Sequence, residues 1–476
     1  MRSLIVLLLL SACWSVQTQS NWVTRLHDAH ADFRVAEIEN RRFKHDQITA
    51  LLEGLDDRFT VKLEGYSVEQ RSIHSVRFGN GPTTVLLWSQ MHGDEPTATA
   101  AVFDIFRFLT ASDDGFDAFR AELSRKLTLV FIPMLNPDGA EDFDRRNALG
   151  IDLNRDALRL STPEAQLLKR VRDELDADWG FNLHDQSRFY GAGYPTEDMA
   201  TLSFLAPAFD YAKTINAGRE RAMQVIAELN AGLQPHIPNK VARYSDSFEP
   251  RAFGDNMQKW GTSTILIESG GYPGDREKQY IRQLNFASIL AACHSIASRS
   301  YQRYSRAQYA EIPYNRYGAF NDLLLREVSF KHSDGNAYLL DIAIDLQERE
   351  YLGARKFYFR GNIDDIGDLT YQRGYEELKA GNYTAEIGNA FPELIENLAA
   401  VKEMDQMSLL KAGYAVVRVK KPGRPWEQAA QDVLVTGGEG IYDRELQIGM
   451  NPPLIIRDQA GVVRYAVING RLITVE

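Results

Sequence analysis

The chain has 476 residues, more than one hydrophobic core usually serves, so two folded domains are expected. Its composition, with 44% hydrophobic and 25% charged residues, is that of a globular protein and excludes general disorder. The formal net charge of −11 argues against a polyanion-binding role, so no nucleic-acid partner is expected.

The first element along the chain has the pattern of an export signal. Arg2 is the only charge before the apolar run 4–10, which is too short to span a bilayer. We therefore predict a signal peptide over residues 1–20 and an exported protein that is periplasmic, anchored at the cell envelope or secreted. The apolar run ends in a Leu-Ser-Ala-Cys sequence that resembles a bacterial lipobox, so a lipid anchor at Cys13 and an ordinary cleaved signal are the two alternatives.

Residues 21–302 alternate between short apolar runs and longer amphipathic ones, which predicts an α/β fold. After a mainly helical stretch and an extended stretch, the runs at 85–88, 127–132, 179–183 and 263–267 are predicted strands, and 97–109, 164–175, 217–233 and 277–297 are predicted helices. Apolar runs this continuous fit strands buried on both faces. We expect a mixed, largely parallel sheet flanked by helices.

Residues 303–476 have a different texture and are predicted to form a β-rich C-terminal domain. Segments rich in β-branched and aromatic residues are separated by turns that contain glycine, with one helical insertion near 390–403. The domain is either a packing partner or a lid or exosite that narrows access to the catalytic cleft.

Four polar segments follow the four predicted strands of the first domain. His92 and Glu95 follow the first strand, Asn136-Pro137-Asp138-Gly139 the second, His184 the third, and Glu268 the fourth. The carboxyl ends of parallel strands meet at one edge of a sheet, so these groups are expected to share a cleft. The Asn-Pro-Asp-Gly segment is a turn by its own chemistry and is expected to shape the cleft.

The residue types at these positions suit a single catalytic Zn²⁺ ion. Two imidazoles and one carboxylate, from His92, His184 and Glu95, leave a fourth position for water, which is typical of a catalytic rather than a structural zinc site. Glu268, at the end of a buried strand, is suited to take and return a proton. We therefore predict a zinc hydrolase with Glu268 as the general base.

The same residues carry a resemblance to a known family. The segment from about residue 60 to 297 resembles the zinc carboxypeptidases (carboxypeptidase A-like) in the order and rough spacing of its motifs. The matching motifs are His92-Gly93-Asp94-Glu95, Asn136-Pro137-Asp138-Gly139, Arg145-Arg146-Asn147, Gly150-Ile151-Asp152-Leu153-Asn154-Arg155, Asn182-Leu183-His184 and Ile267-Glu268-Ser269. The resemblance implies a carboxypeptidase-like fold for the first domain and says nothing of the C-terminal part.

Carried over residue by residue, the resemblance implies roles for further side chains. Arg145 would polarise the scissile carbonyl, with Arg146 as the alternative because the doubled arginine leaves the register open by one. Asn154 and Arg155 would bind the terminal carboxylate of the substrate, as a guanidinium fork can do. Tyr244 is the nearest candidate for the tyrosine that caps bound substrate in this family.

Three positions near these motifs have no assigned role. Phe253 and Asp255 lie where the residue that sets side-chain preference is expected, but an apolar and an acidic pocket floor predict opposite substrates. Asp185 directly follows the third zinc ligand.

The predicted function is a metallocarboxypeptidase that acts on peptides or peptide-like substrates. One alternative is an N-acyl amino acid amidohydrolase resembling aspartoacylase and succinylglutamate desuccinylase, which share the His-Gly-x-Glu and Asp-Leu-Asn-Arg elements. Export argues against it, because such substrates are mainly cytoplasmic. A third reading is an inactive binding protein, for which the usual sign, loss of a ligand or of the glutamate, is missing from this sequence.

Overall fold

The computed structural model describes residues 22–195, 198–438 and 445–475. The expected signal peptide and Cys13 lie outside the described residues. The chain divides into two compact units, residues 1–317 and 318–476. Among the described residues, no helix has both the length and the apolar character needed to cross a membrane.

The first unit contains a large sheet with helices on both of its faces. The strands of this unit are β1 (Thr60–Tyr66), β2 (Ser72–Phe78), β3 (Thr83–Ser89), β4 (Leu127–Ile132), β5 (Trp179–Asp185), β6 (Gly191–Ala192), β7 (Leu202–Leu205), β8 (Val241–Arg243), β9 (Ser263–Ser269) and β10 (Asn315–Arg316). Its helices are α1 (22–33), α2 (His45–Glu53), α3 (Thr97–Thr110), α4 (Asp117–Lys126), α5 (Pro137–Asp142), α6 (Pro163–Leu175), α7 (Ala217–Leu233), α8 (Phe253–Lys259), α9 (Gln279–Ser298) and α10 (Arg306–Glu311). Short 3₁₀ turns lie at Leu153–Arg155 and Ser300–Arg303.

The main sheet has the order β1-β2-β4-β3-β5-β9-β7-β8 among the described residues. The central strands β4, β3, β5 and β9 are parallel. Antiparallel pairs flank them, since β2 pairs with β4 and β7 with β9. The expectation of a mixed, largely parallel sheet flanked by helices is confirmed.

The central strands are buried on both faces, as their continuous apolar runs predicted. In β3, Val85 and Leu87 pack into one hydrophobic cluster, and the alternate residues Leu86 and Trp88 pack into another. Helices α3, α7 and α9 contribute to the first cluster and α6 and α8 to the second. A strand has its side chains on alternating faces, so an uninterrupted apolar run requires a cover on each face.

A buried ion pair attaches the N-terminal segment to the helices of the first unit. Asp104 of α3 and Arg282 of α9 are both essentially inaccessible, and Arg282 Nε donates to Asp104 at 2.6 Å. Asp104 also contacts His30 Nε2 at 2.8 Å and accepts from the backbone N–H of Val35 at 2.8 Å. Arg282 donates in addition to the carbonyl oxygens of Val35 and Ile38.

The division between the units differs from the expected boundary after residue 302. Residues 303–317 lie in the first unit, because α10 packs against α7 and β10 pairs with β6. The change of sequence texture near residue 305 therefore precedes the structural division by about a dozen residues.

The second unit is rich in β structure, as expected. Its strands are β11 (Phe320–Lys331), β12 (Ala337–Tyr351), β13 (Lys356–Gly367), β14 (Arg373–Lys379), β15 (Thr384–Ile387), β16 (Asn389–Ala390), β17 (Ile395–Asn397), β18 (Tyr414–Lys421), β19 (Leu434–Gly437), β20 (Pro453–Arg457), β21 (Val463–Ile468) and β22 (Arg471–Thr474). Its helices are α11 (Leu398–Lys402), α12 (Gln406–Lys411) and α13 (Pro425–Ala429). The expected helical insertion near 390–403 is smaller than predicted, because β16 and β17 occupy part of it.

Candidate active site

The polar side chains that follow the parallel strands lie at one edge of the main sheet. His92 and Glu95 follow β3, His184 lies near the end of β5, and Glu268 lies near the end of β9. His184 and Glu268 are directly opposite each other in the pairing of β5 with β9. All four side chains line one cleft of about 430 Å³.

The loop that carries the first two of these residues rests on the turn after β4. A Cβ atom at Gly93 would lie 2.0 Å from the carbonyl carbon of Gly139, so only glycine fits at this position. The turn itself is fixed by Asn136, whose side chain accepts from the N–H of Gly139 at 3.0 Å. The Asn-Pro-Asp-Gly segment thus supports the cleft from outside, and none of its residues lines the cleft.

His92, Glu95 and His184 form a buried group with the geometry of a metal site. His92 Nδ1 lies 2.8 Å from Glu95 Oε1, and His184 Nδ1 lies 2.6 Å from Glu95 Oε2. The three candidate ligand atoms all lie within 4.8 Å of one another. Two ligands at 2.0–2.1 Å from a tetrahedral zinc ion are separated by roughly 3.3 Å, so small side-chain movements would accommodate the ion.

A carboxylate behind the first histidine orients its ring. Asp152 Oδ1 lies 3.0 Å from His92 Nε2, which leaves Nδ1 directed at Glu95. Arg145 contacts both carboxylates, through Nε to Asp152 Oδ2 at 3.1 Å and through a terminal nitrogen to Glu95 Oε1 at 3.2 Å. A carboxylate on the far nitrogen of a ligating histidine fixes the tautomer and makes the ligand more basic.

The electrostatics of the group reflect this close packing of opposite charges. Burial opposes a charge on His92, but the carboxylates of Glu95 and Asp152 raise its pKa to about 9. Burial also opposes a charge on Glu95, yet the two neighbouring imidazoles hold its pKa well below the usual value. The anionic form of Glu95, which a metal ligand requires, is therefore favoured in the fold itself.

Glu268 has a different environment from the neighbouring Glu95. Burial raises its pKa well above the usual value, and repulsion from Glu95 adds to the shift. Its side chain is 8% exposed at the end of β9. Two carboxylates with oppositely shifted pKa values in one cleft are suited to different roles, one as a permanent anion and the other as a proton carrier.

Only some of the residues predicted to bind substrate line the cleft. Asn154 and Arg155 line the cleft, whereas Arg146 is exposed and donates to the carbonyl oxygen of Gly150 outside it. Asn154 Nδ2 lies 3.5 Å from His184 Nε2, and Arg155 faces Glu249 at 3.5 Å. Of the two adjacent arginines considered for the carbonyl, Arg145 is thus the one beside the candidate metal ligands.

Tyr244 also lines the cleft and belongs to a group of tyrosines at its wall. Its ring centroid lies 6.1 Å from that of Tyr190, which in turn lies 5.2 Å from that of Tyr317. Burial, the negative charge of Glu268 and a hydrogen bond with Tyr190 raise the pKa of Tyr244. Its phenol is therefore a hydrogen-bonding group rather than an acid.

Phe253 and Asp255, the two candidates for the residue that sets substrate side-chain preference, lie in different places. Phe253 is fully buried and packs against Trp260, with ring centroids 6.2 Å apart, so it does not line the cleft. Asp255 does line it, and burial raises its pKa to about 7.

Sequence reasoning missed several residues of the site. It gave no role to Asp152, although this residue lies inside the quoted Gly150–Arg155 motif, and it did not consider Tyr190 or Glu249. The sequence marks Asp185 only by its position directly after His184. A search for carboxylates near the histidines would have singled out Asp152, but the contacts of Tyr190 and Glu249 depend on folding.

Comparisons with known proteins agree with the motifs of the first unit. A family model described as zinc carboxypeptidase matches residues 46–179, which include His92, Glu95 and Arg145 but end before His184 and Glu268. "Probable carboxypeptidase 2" of Arthroderma benhamiae and "Carboxypeptidase 2" of Trichophyton tonsurans are each 26% identical over 151 residues. These matches cover 32% of this chain and 26% and 25% of the two relatives. The chain thus matches about a quarter of the length of these curated relatives.

A solved metallo-carboxypeptidase from Burkholderia cenocepacia is also similar to this chain. The TM-score is 0.45 with 18% sequence identity, over 54% of this chain and 70% of that one.

Proposed function

We propose that the protein is a zinc-dependent metallocarboxypeptidase, because residues 46–179 match the family model described as zinc carboxypeptidase. The observation that carries the proposal is the convergence of His92, Glu95 and His184 within one cleft, with Glu268 opposite His184 on the adjoining strand. The matched segment ends before two of these four residues, so their roles rest on the geometry of the cleft.

The donor set fits one Zn²⁺ ion. His92 and His184 would each ligate through Nδ1, and Glu95 through its carboxylate. When bound, zinc supplies a Lewis acid that acidifies water and polarises a carbonyl, and its charge favours the ionised form of nearby carboxylates. Asp152 would hold the His92 ring in the orientation that this role requires.

Glu268 would act as the general base and then as the general acid. It would accept a proton from the water that attacks the scissile carbonyl carbon. It would return that proton to the amine nitrogen as the C–N bond breaks. A raised pKa suits this cycle, because a carboxylate of low pKa is a weak base that takes up and holds a proton poorly near neutral pH.

Arg145 would stabilise the negative charge that develops on the carbonyl oxygen. Its side chain is 42% exposed towards solvent while its guanidinium contacts Glu95 and Asp152. These two carboxylates hold the guanidinium in place, and a prearranged cation needs no reorganisation during the reaction.

Asn154 and Arg155 would select substrates with a free terminal carboxylate. The guanidinium of Arg155 is 3.5 Å from Glu249, which is a loose ion pair at the cleft wall. A substrate carboxylate would compete with Glu249 for this guanidinium. Tyr244, whose hydroxyl group stays protonated, would donate a hydrogen bond to the bound peptide.

The test is a set of assays on purified protein loaded with zinc. We expect hydrolysis of N-blocked dipeptides with a free C-terminus, and no hydrolysis of the same dipeptides with an amidated C-terminus. Glu268→Gln should keep its zinc and lose about 10²–10⁴-fold in kcat, the usual contribution of a general base. The exposed Glu220 of α7 provides the control, since Glu220→Gln removes the same charge away from the cleft and should leave kcat unchanged.

Each alternative has its own outcome in the same assays. Faster cleavage of N-acyl amino acids than of the dipeptides would identify an amidohydrolase and overturn the proposal. Absence of both bound zinc and activity in the wild type would identify a binding protein. We further propose that residues 1–20 direct export of the protein, which can be tested by cell fractionation. Comparison with Cys13→Ser in the same fractionation distinguishes a lipid anchor from an ordinary signal peptide.

A further inference from the structure

Lys278 occupies an unusual backbone position beside the candidate active site. It immediately precedes α9 with a φ of 52°, in the left-handed region that non-glycine residues rarely adopt. Its side chain is only 15% exposed. Its ammonium nitrogen lies 3.1 Å from Asp185 Oδ2 and 2.9 Å from the carbonyl oxygen of Ser269.

Asp185, the partner of this lysine, is the residue next to the third candidate zinc ligand. Its side chain is 7% exposed. Oδ2 accepts from Thr97 Oγ1 at 2.5 Å as well as from Lys278, while Oδ1 is buried without a hydrogen-bond donor among the described residues. The backbone N–H of Asp185 donates to Glu95 Oε2 at 3.2 Å. Within the described part of the chain, Lys278 is the cation that balances this buried carboxylate.

The contacts of these two side chains reach the three segments that carry Glu95, His184 and Glu268. Thr97 is the first residue of α3 and lies two residues after Glu95. Asp185 is the last residue of β5 and follows His184, and Ser269 is the last residue of β9 and follows Glu268. Asp185 and Ser269 are direct partners in the β5–β9 register. One carboxylate and one ammonium therefore join the start of one helix and the ends of two strands, which are distant in sequence.

We propose that the Lys278–Asp185 ion pair is the positioning device of the active site, holding the ends of β5 and β9 and the start of α3 in a fixed arrangement. Neither residue needs to touch the reacting atoms for this role. The pair fixes the backbone on which Glu95, His184 and Glu268 are mounted, so its loss should loosen the metal site and misplace the base. A displacement near 1 Å in such a constellation can cost on the order of 10²-fold in rate. The catalytic part of this inference rests on the proposed function, whereas the metal-binding part does not.

The test compares Lys278→Met with a matched control. Methionine keeps the length and apolar stem of lysine and removes the charge. Lys240 is the control, because it is 20% exposed, forms an ion pair with Asp198 and does not line the cleft. Lys278→Arg, which can still reach both partners, is the conservative variant. The double variant Asp185→Asn with Lys278→Met leaves no buried charge unpaired and remains testable if the single variant does not fold.

The readouts are the zinc dissociation constant by competition with a chromogenic chelator, the visible spectrum of the Co²⁺-loaded protein, and kcat and KM on a peptide substrate. For Lys278→Met and the double variant we expect about a 10-fold weaker zinc affinity, the size seen when a residue that orients ligands is lost. The Co²⁺ spectrum should change, and kcat should fall at least 10-fold with KM within threefold, because Asn154 and Arg155 are untouched. Lys278→Arg should recover most of the loss, and Lys240→Met should match the wild type.

Zinc affinity, Co²⁺ spectrum and kcat within twofold of the wild type in the double variant would overturn the proposal. So would equal losses in Lys278→Met and Lys240→Met, since that result would reflect stability alone. A wild-type protein that binds zinc but does not cleave peptides would refute the proposed function. In that case the affinity and the spectrum would still decide the role of Lys278.

Discussion

The buried pair of Asp104 and Arg282 provides the sharpest stability prediction. Asp104→Asn keeps the shape of the side chain and removes its charge. The substitution leaves the Arg282 guanidinium buried without a counterion, because both side chains are at most 1% exposed. His30 and the N–H of Val35 also lose a charged acceptor. Removing one partner of a buried ion pair costs about 3–5 kcal/mol, against a total stability of about 5–15 kcal/mol for a folded protein.

The assay is equilibrium urea unfolding followed by far-ultraviolet circular dichroism, together with hydrogen exchange of residues 22–38. We expect Asp104→Asn to lower the free energy of unfolding by about 3–5 kcal/mol and to expose this segment to exchange first. Asp117→Asn is the control, because Asp117 is 56% exposed in its pair with Arg120 and should cost less than about 1 kcal/mol. The double variant Asp104→Leu with Arg282→Met should be more stable than Asp104→Asn, since it buries no charge.

A loss below about 1 kcal/mol in Asp104→Asn would refute the reasoning, because it would mean that Arg282 is not desolvated. Protection of residues 22–38 that equals the wild type would refute the assignment of the pair as the attachment of this segment.

Two further predictions concern metal binding and pH. Asp152→Asn should weaken zinc binding about 10–100-fold while the fold persists, because the His92 ring loses its orienting carboxylate. An unchanged zinc dissociation constant, measured by competition with a chelator, would contradict this role of Asp152. In the second unit, burial raises the pKa of the Asp345 carboxyl to about 7, with Asp364 adding to the shift. The folded state holds this proton more tightly than the unfolded state, so the stabilisation is full below about pH 4 and is lost as the pH rises through 7. The difference in free energy of unfolding between Asp345→Asn and the wild type should therefore grow in favour of the variant by up to about 4 kcal/mol between pH 4 and pH 8, at 1.36 kcal/mol per pKa unit. A difference that does not vary with pH in urea unfolding would contradict the raised pKa.

The elements that the sequence predicted best are those with long, regular apolar patterns. The predicted strand 127–132 and helix 217–233 agree with β4 and α7 at both ends. The placement of polar residues after buried strands was enough to assemble the candidate zinc ligands and Glu268 in one cleft.

Short elements were missed because their patterns are too brief to read. The strands β7 and β8 have four and three residues and were not predicted, although they complete the edge of the sheet beyond β9. The helix α8 has seven residues, and all but Lys259 are buried, so it shows no amphipathic pattern.

Details of the site required the fold for a different reason. Arg145 and Arg146 are adjacent in a loop without periodicity, so nothing local shows which guanidinium faces the ligands. The contact of Asp152 with His92 joins residues 60 positions apart, and that of Lys278 with Asp185 joins residues 93 positions apart. Contacts of this kind depend on strand order, which composition and spacing do not encode.

The position of β9 in the sheet has a consequence for how the molecule is made. This strand is the last of the main sheet to leave the ribosome, yet it is inserted between β5 and β7 rather than added at an edge. Until residue 269 has been synthesised, β7 and β8 have no hydrogen-bonded neighbour that connects them to the rest of the sheet. A nascent chain of 250 residues would already contain all three candidate ligands but not the carboxylate on β9. The order of translation thus delays assembly of the complete candidate site until the sheet is nearly finished.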